Sequence, residues 1–363
     1  MSFNIFKKAK LILEDGSSFE GFSFAAEKNV SGEVVFNTGM IGYPESLTDP
    51  SYEGQILVLT YPLIGNYGVP GNDYDELGFL KNFESNRIYI KGLVVSDYSK
   101  EFSHWRSEKS LSDWLLEHNI PAICGVDTRA VTKRLRERGV MLGKLVYENV
   151  HEDDVPFENP NNMNLVAEVS VKRVETYGSG EKKVILLDCG AKYNIIRSLV
   201  LRGIKVMRVP WNYDISSLDY DGVFVSNGPG DPKMCVTTIE SLRQAMKKKV
   251  PIMGICLGNQ LLALAAGANT YKLKYGHRSQ NQPCIDVKTG RCYITSQNHG
   301  YAVDKETLPS GWEEWFVNAN DGTNEGIRHA SLPFCGVQFH PEATPGPVDT
   351  AFLFDKFREM INV

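Results

Sequence analysis

No stretch of this 363-residue sequence comes near the roughly 20 consecutive apolar residues that cross a bilayer, because Gly, Lys or Asp interrupts every greasy run. A membrane partner is therefore not expected. The seven cysteines are odd in number and include no Cys-x-x-Cys pair, which argues against a disulfide framework or a zinc ribbon. Charge of one sign is also lacking: 39 Lys and Arg against 44 Asp and Glu leave −5, too little asymmetry for a nucleic-acid footprint. No Gly-x-x-x-x-Gly-Lys-[Ser/Thr] run is available to cradle a nucleotide's phosphates. His104, His118, His151, His277, His299 and His329 are scattered without metal-ligand spacing, so no metal is expected. The opening MSFNIFKKAK has neither a long apolar signal core nor an Arg- and Ser-rich transit pattern, so a cytoplasmic setting is expected.

What the sequence does have is the composition of a folded protein, with 42% hydrophobic and 23% charged residues. Its length suits about two domains. In the first half, LILEDG, SGEVVFNT, QILVLTYP and IKGLVV read as short strands, and SLSDWLLEHN and TRAVTKRLRERG as helices, the second closed by Gly139. This predicts a mixed β/α domain over 1–150. Residues 151–182 are rich in Asn, Pro, Gly and charge and read as a linker. From 183 to 363 apolar strands such as KVILLD, GVFVS and VPIMGI alternate with helices, the pattern of an α/β domain with a doubly wound, mainly parallel sheet. Residues 270–345 read as an antiparallel addition and DTAFLFDKFREM as a closing helix. The basic run from Lys133 to Arg138 reads as a solvated helix face.

Ligands of such sheets sit at the carboxyl ends of the strands, so the loops there matter most. Gly254-Ile255-Cys256-Leu257-Gly258 lies between an apolar strand and a helix-forming run, the spacing of a nucleophile elbow with cysteine as nucleophile. The small flanking residues suit a tight turn, and the start of a helix favours thiolate. A buried inert cysteine between packing glycines is the plainer alternative. A thiolate needs a base and the base an orienting group: His340 and Glu342, flanking Pro341 after the strand-like CGVQF, can supply both. Ser226-Asn227-Gly228-Pro229-Gly230 forces a rigid turn whose N–H groups could receive an oxyanion, or is an ordinary turn.

NGPGDP, GICLGNQ, SQNHGYAV and VQFHPE, in this order, resemble the class I (triad) glutamine amidotransferases. LEDGSSFEGFSF, the segment from GEVVFNTGMIGYPESLTDPSYEG through LTYPLIGNYG, and GVDTRAVTKRLRERG are similar to the glutamine-hydrolysing small subunit or domain of carbamoyl phosphate synthetase, so the resemblance spans nearly the whole chain. It implies that Cys256 attacks L-glutamine to form a glutamyl thioester, with His340 as acid and base and Glu342 orienting it. It also implies an oxyanion hole at Gly228 and Leu257, and glutamine held by Ser51, Gly228, Gly230, Leu257, Gln260, Asn298, Gly300 and Tyr301. No cofactor is implied in this chain. ATP, Mg and bicarbonate would be used by the partner, a large subunit or a covalently linked synthetase domain that receives the ammonia. Pyrimidine synthesis is the expected destination; arginine or urea synthesis, or a weakly active scaffold docked on the synthetase, are the alternatives. Two positions depart from the family pattern: Asn259 stands where His is frequent, and Tyr301 where Phe is frequent.

Overall fold

The computed structural model describes residues 7–362, which divide into two compact units, residues 7–75 with 80–162, and residues 76–79 with 163–362. In the first, β1 (Lys8–Leu13), β2 (Ser18–Ser23), β3 (Val30–Asn37), β4 (Gln55–Leu59), β5 (Gly92–Val94), β6 (Ala122–Cys124) and β7 (Met141–Tyr147) close into a barrel in the order β1-β7-β3-β4-β5-β6-β2. The run β3-β4-β5-β6 is parallel and the other pairings are antiparallel. Val35, Leu57 and Leu93 pack in one core cluster with Leu111, Trp114 and Leu115 of α1 (Leu111–Glu117), which Ser110 caps by accepting from the Asp113 N–H. Helix α2 (Thr128–Arg138) starts under an Asp127 cap and buries Thr128, Val131 and Leu135, one stripe at helical spacing. Its basic residues face outward, where Lys133 is exposed and Arg134 pairs with Asp15 at 2.6 Å.

The segment expected as a linker is structured instead. Leu165, Val166 and Val169 bury one side of the short helix α3 (Leu165–Val169), with Asn164 accepting from the Ala167 N–H, and β8 (Glu175–Tyr177) adds an edge strand to the second unit's sheet. The boundary thus falls at 162/163, because a few apolar residues in a polar stretch suffice to anchor it. Residues 76–79 also join the second unit, where Phe79 stacks on Tyr193 with ring centroids 4.1 Å apart.

That sheet has ten strands. With β9 (Lys183–Asp188), β10 (Lys205–Pro210), β11 (Gly222–Val225), β12 (Ile252–Ile255), β13 (Asn269–Asp286), β14 (Cys292–Asp304), β15 (Trp312–Asn318), β16 (Asn324–His329) and β17 (Phe334–Val337), the order is β8-β10-β9-β11-β12-β17-β16-β15-β13-β14. The run β10-β9-β11-β12-β17 is parallel. Alternate residues of β9 show that both faces are covered. Val184 and Leu186 pack with α4 (Tyr193–Val200) and α7 (Phe352–Ile361), whereas Ile185 and Leu187 pack with α5 (Val236–Lys247) and α6 (Leu257–Ala266). The doubly wound reading holds for this unit. Of the segment expected to be antiparallel, β13 to β16 are so, but β17 returns to the parallel core beside β12. That return sets the chain after β17 next to the chain after β12.

Candidate active site

Cys256 occupies the single residue between β12 and α6, with φ 55° and ψ −107°, a conformation that costs a non-glycine residue about 1–3 kcal/mol. Its surroundings enforce the turn. A Cβ on Gly254 would lie 2.3 Å from the Gly258 carbonyl, and one on Gly258 would lie 2.2 Å from the Val225 oxygen, so neither position admits a side chain. The Cys256 N–H donates to the Val337 carbonyl at 2.8 Å, tying the turn to β17. The sulfur is buried, 3.6 Å from the Asn298 carbonyl oxygen, at the positive end of α6.

Beyond β17, the His340 N–H donates to the Ser296 carbonyl at 2.9 Å, and its Nδ1 lies 2.6 Å from Glu342 Oε1. The carboxylate can only accept, so Nδ1 carries the hydrogen and Nε2 is left for the sulfur. Nε2 is buried too and meets no hydrogen-bond partner at a bonding angle. Burial opposes a charge on His340, but the Glu342 carboxylate, together with the Cys256 sulfur, raises its pKa to about 10. Burial would likewise lift the Glu342 carboxyl, yet the Lys192 ammonium and then His340 hold it down at about 2.

Lys192 is the residue that sequence reasoning missed. It is 3% exposed, its Nζ lies 3.1 Å from Glu342 Oε1, and it also donates to the Ala343 carbonyl. Its N–H donates to Asn227 Oδ1 at 3.1 Å, and Asn194 Nδ2 donates to the Glu342 carbonyl and to Thr344 Oγ1. The loops after β9, β11 and β17 are thereby laced together on one edge of the sheet. Nothing local marks Lys192: no motif contains it, and its partner belongs to a distant strand.

The remaining expected residues fall in two places. A Cβ on Gly228 would meet the Cys189 carbonyl oxygen at 2.1 Å and Leu257 Cδ2 at 2.9 Å, so Gly228 and Leu257 adjoin. Gly230 has φ 83° and lies beside Leu165. Gln260, buried in the first turn of α6, donates from Nε2 to the Tyr301 carbonyl at 2.8 Å and to Gln338 Oε1 at 3.0 Å, which anchors α6 to β14 and to the chain after β17. Asn298 pairs with Arg278 across β13 and β14, and Gly300 lies against the same arginine. The Tyr301 ring lies 5.9 Å from the Lys272 ammonium. Asn259 is fully buried against Gly336, and neither of its side-chain polar atoms has a hydrogen-bond partner. Ser51 belongs to the first unit, in a 3-10 turn where its N–H donates to Asp49 Oδ1 at 2.9 Å.

Residues 185–360 match the class I glutamine amidotransferase family, and residues 11–145 match the CPSase domain of the carbamoyl-phosphate synthase small chain. The arginine-specific small chain of carbamoyl phosphate synthase from Neurospora crassa is 52% identical, over 98% of this chain and 80% of that protein. The chain belongs to the carbamoyl-phosphate synthase small-chain family. Two longer relatives carry the same pair of domains' length within much larger proteins: the multifunctional protein pyr-3 of Neurospora crassa, 52% identical over 97% of this chain, and the multifunctional protein CAD of Squalus acanthias, 55% identical over 97%. The chain spans only 21% and 16% of those two proteins. In this chain, the buried Cys256, His340 and Glu342 on one edge of the sheet are the feature on which chemistry can be built.

Proposed function

We propose that this chain is the glutaminase component of a glutamine-dependent carbamoyl phosphate synthetase. The observation that carries the reading is the buried cysteine held at positive φ between β12 and α6, on the same sheet edge as the 2.6 Å His340 and Glu342 pair. In this reading the turn is a nucleophile elbow. His340 takes the Cys256 proton, the thiolate attacks the glutamine carboxamide carbon, and the leaving ammonia receives the proton from His340 as the C–N bond breaks. Water, deprotonated by the same imidazole, then cleaves the thioester, giving glutamate and free thiol. The N–H groups of Gly228 and Leu257 receive the oxyanion, and each such donor is worth about 10²–10³ in rate. Gly230, Gln260, Asn298, Gly300 and Tyr301, all of the second unit, complete the glutamine site, as donors and acceptors for the two ends of a zwitterion.

The ammonia passes to a synthetase partner, a large subunit or a fused domain, which uses ATP, Mg and bicarbonate. The multifunctional relatives support fusion, and the arginine-specific small chain supports a separate subunit feeding arginine synthesis as the second reading beside pyrimidine synthesis. Seven unpaired cysteines support a cytoplasmic setting. The test is glutamate release from glutamine by the chain and by Cys256→Ala, each with and without the synthetase under ATP and bicarbonate. Cysteine-dependent release that rises with the partner is expected. Release unchanged in Cys256→Ala, or none under any condition with docking retained, sinks the reading.

A further inference from the structure

The strand that carries Asn298, Gly300 and Tyr301 also carries His299, and the register of β13 and β14 sets His299 directly opposite His277. The two rings meet edge to face with centroids 4.9 Å apart. Glu325 of β16 joins them, its Oε1 lying 3.3 Å from His277 Nδ1 and 4.0 Å from His299 Nε2. One donor atom from each of the three residues lies within 4.8 Å of the others, and all three residues are buried. Glu325 is completely buried, yet its Oε2 has no hydrogen-bond partner, and neither has His277 Nδ1.

The outer contacts decide which nitrogens face inward. His277 Nε2 lies 2.8 Å from Asp321 Oδ2, and His299 Nδ1 lies 2.9 Å from the Tyr301 carbonyl oxygen. Both oxygens are acceptors, so those nitrogens hold hydrogens, and His277 Nδ1 and His299 Nε2 are the nitrogens turned toward Glu325. This is the arrangement by which a carboxylate and a backbone carbonyl orient histidine ligands of a metal. A second oxygen, Gln297 Oε1, lies 3.1 Å from His299 Nε2, with its amide oriented by Nε2 contacts of 3.2 Å to Cys284 Sγ and to Thr295 Oγ1.

We propose that His277 Nδ1, His299 Nε2 and a Glu325 carboxylate oxygen bind one divalent transition-metal ion, zinc first, with Gln297 Oε1 as the fourth donor. Ligands about 2.0–2.1 Å from a tetrahedral ion stand about 3.3 Å apart. The 3.1 and 3.3 Å separations already match, and the 4.0 Å one closes with a few tenths of an ångström of movement on each side. Two imidazoles and a carboxylate select zinc over magnesium or calcium, which prefer all-oxygen shells. The ion would cross-link β13, β14 and β16, pinning the strand that bears Asn298 and Tyr301. Asp321, 43% exposed in its side chain, marks the approach from solvent.

The full chain, stripped with a chelator and titrated with zinc alone against an indicator dye, is expected to take up one equivalent. His277→Ala is expected to abolish that uptake, and Cys256→Ala to leave it unchanged, since the nucleophile's sulfur is not a ligand. Asp321→Asn, at a partly exposed position that only orients His277, is expected to weaken zinc binding about 10–100-fold in a folded protein. A parent chain that takes up no zinc overturns the proposal. So does uptake that survives His277→Ala and vanishes in Cys256→Ala. If His277→Ala does not fold, Asp321→Asn decides, and affinity equal to the parent's overturns it.

Discussion

Replacing Glu342 by Gln keeps the shape of the side chain and removes the charge on which His340 depends. The imidazole is held at about 10 instead of the ordinary 6.5, a preference for imidazolium of roughly 5 kcal/mol at 1.36 kcal/mol per pH unit. Because the folded pKa is the higher one, folding binds a proton between these values, and the stabilisation is complete below pH 6.5 and lost as pH rises through about 10. Stability of the parent should therefore slope downward as pH rises from 7 toward 9.5. Glu342→Gln should flatten that slope, because burial alone pushes an imidazole toward neutrality. It should also cost about 3–5 kcal/mol throughout, since the Lys192 ammonium loses its ion-pair partner. The assay is urea unfolding of parent and variant at several pH values across that range. Parallel stability profiles would refute the argument that Glu342 holds the imidazolium. In the same variant glutamine hydrolysis should fall less than in His340→Asn, because orientation is lost while a proton acceptor remains; equal loss would remove the distinction between base and orienting group.

Cys256→Ser, with the chain assembled on its synthetase, should abolish glutamine-dependent synthesis and leave ammonia-dependent synthesis nearly intact; loss of both would place the defect in folding or docking. Lys192→Met should raise the Glu342 carboxyl from about 2 toward its ordinary range, so that activity is lost at a higher pH on the acid side, and an acid limb that does not move would show that Lys192 does not hold the carboxylate. Gly254→Ala sets a Cβ 2.3 Å from backbone atoms of Gly258 and should destabilise the second unit by several kcal/mol, about the cost of strained overpacking or more; an unchanged urea midpoint would mean that the turn is not tightly packed.

What could be read along the chain is what local constraints impose. The glycines around Cys256 are legible because a turn between a strand and a helix excludes side chains at those spacings, and the clashes at Gly254 and Gly258 are that rule in atomic form. The doubly wound sheet is legible because strands buried on both faces read as unbroken apolar runs, as Val184 to Leu187 do. His340 and Glu342 are two residues apart, so their pairing needs only a strand end. Other features depend on register and crossover connections, which no short window contains. The spacing of the histidines hides that His277 and His299 face each other, because only the antiparallel pairing of β13 with β14 brings them together. Residues 76–79 sit within a stretch of first-unit sequence, and their place in the second unit follows from aromatic packing on Tyr193. Lys192 lies far from Glu342 in sequence, and its role arises because parallel strands deliver all their carboxyl ends to one edge, where a buried carboxylate needs a cation. The sequence by itself therefore determined which residues, Cys256, His340 and Glu342, are candidates for the chemistry, and the fold class of the second unit; the tertiary structure alone decided which distant charge, that of Lys192, would stand beside the buried Glu342 carboxylate.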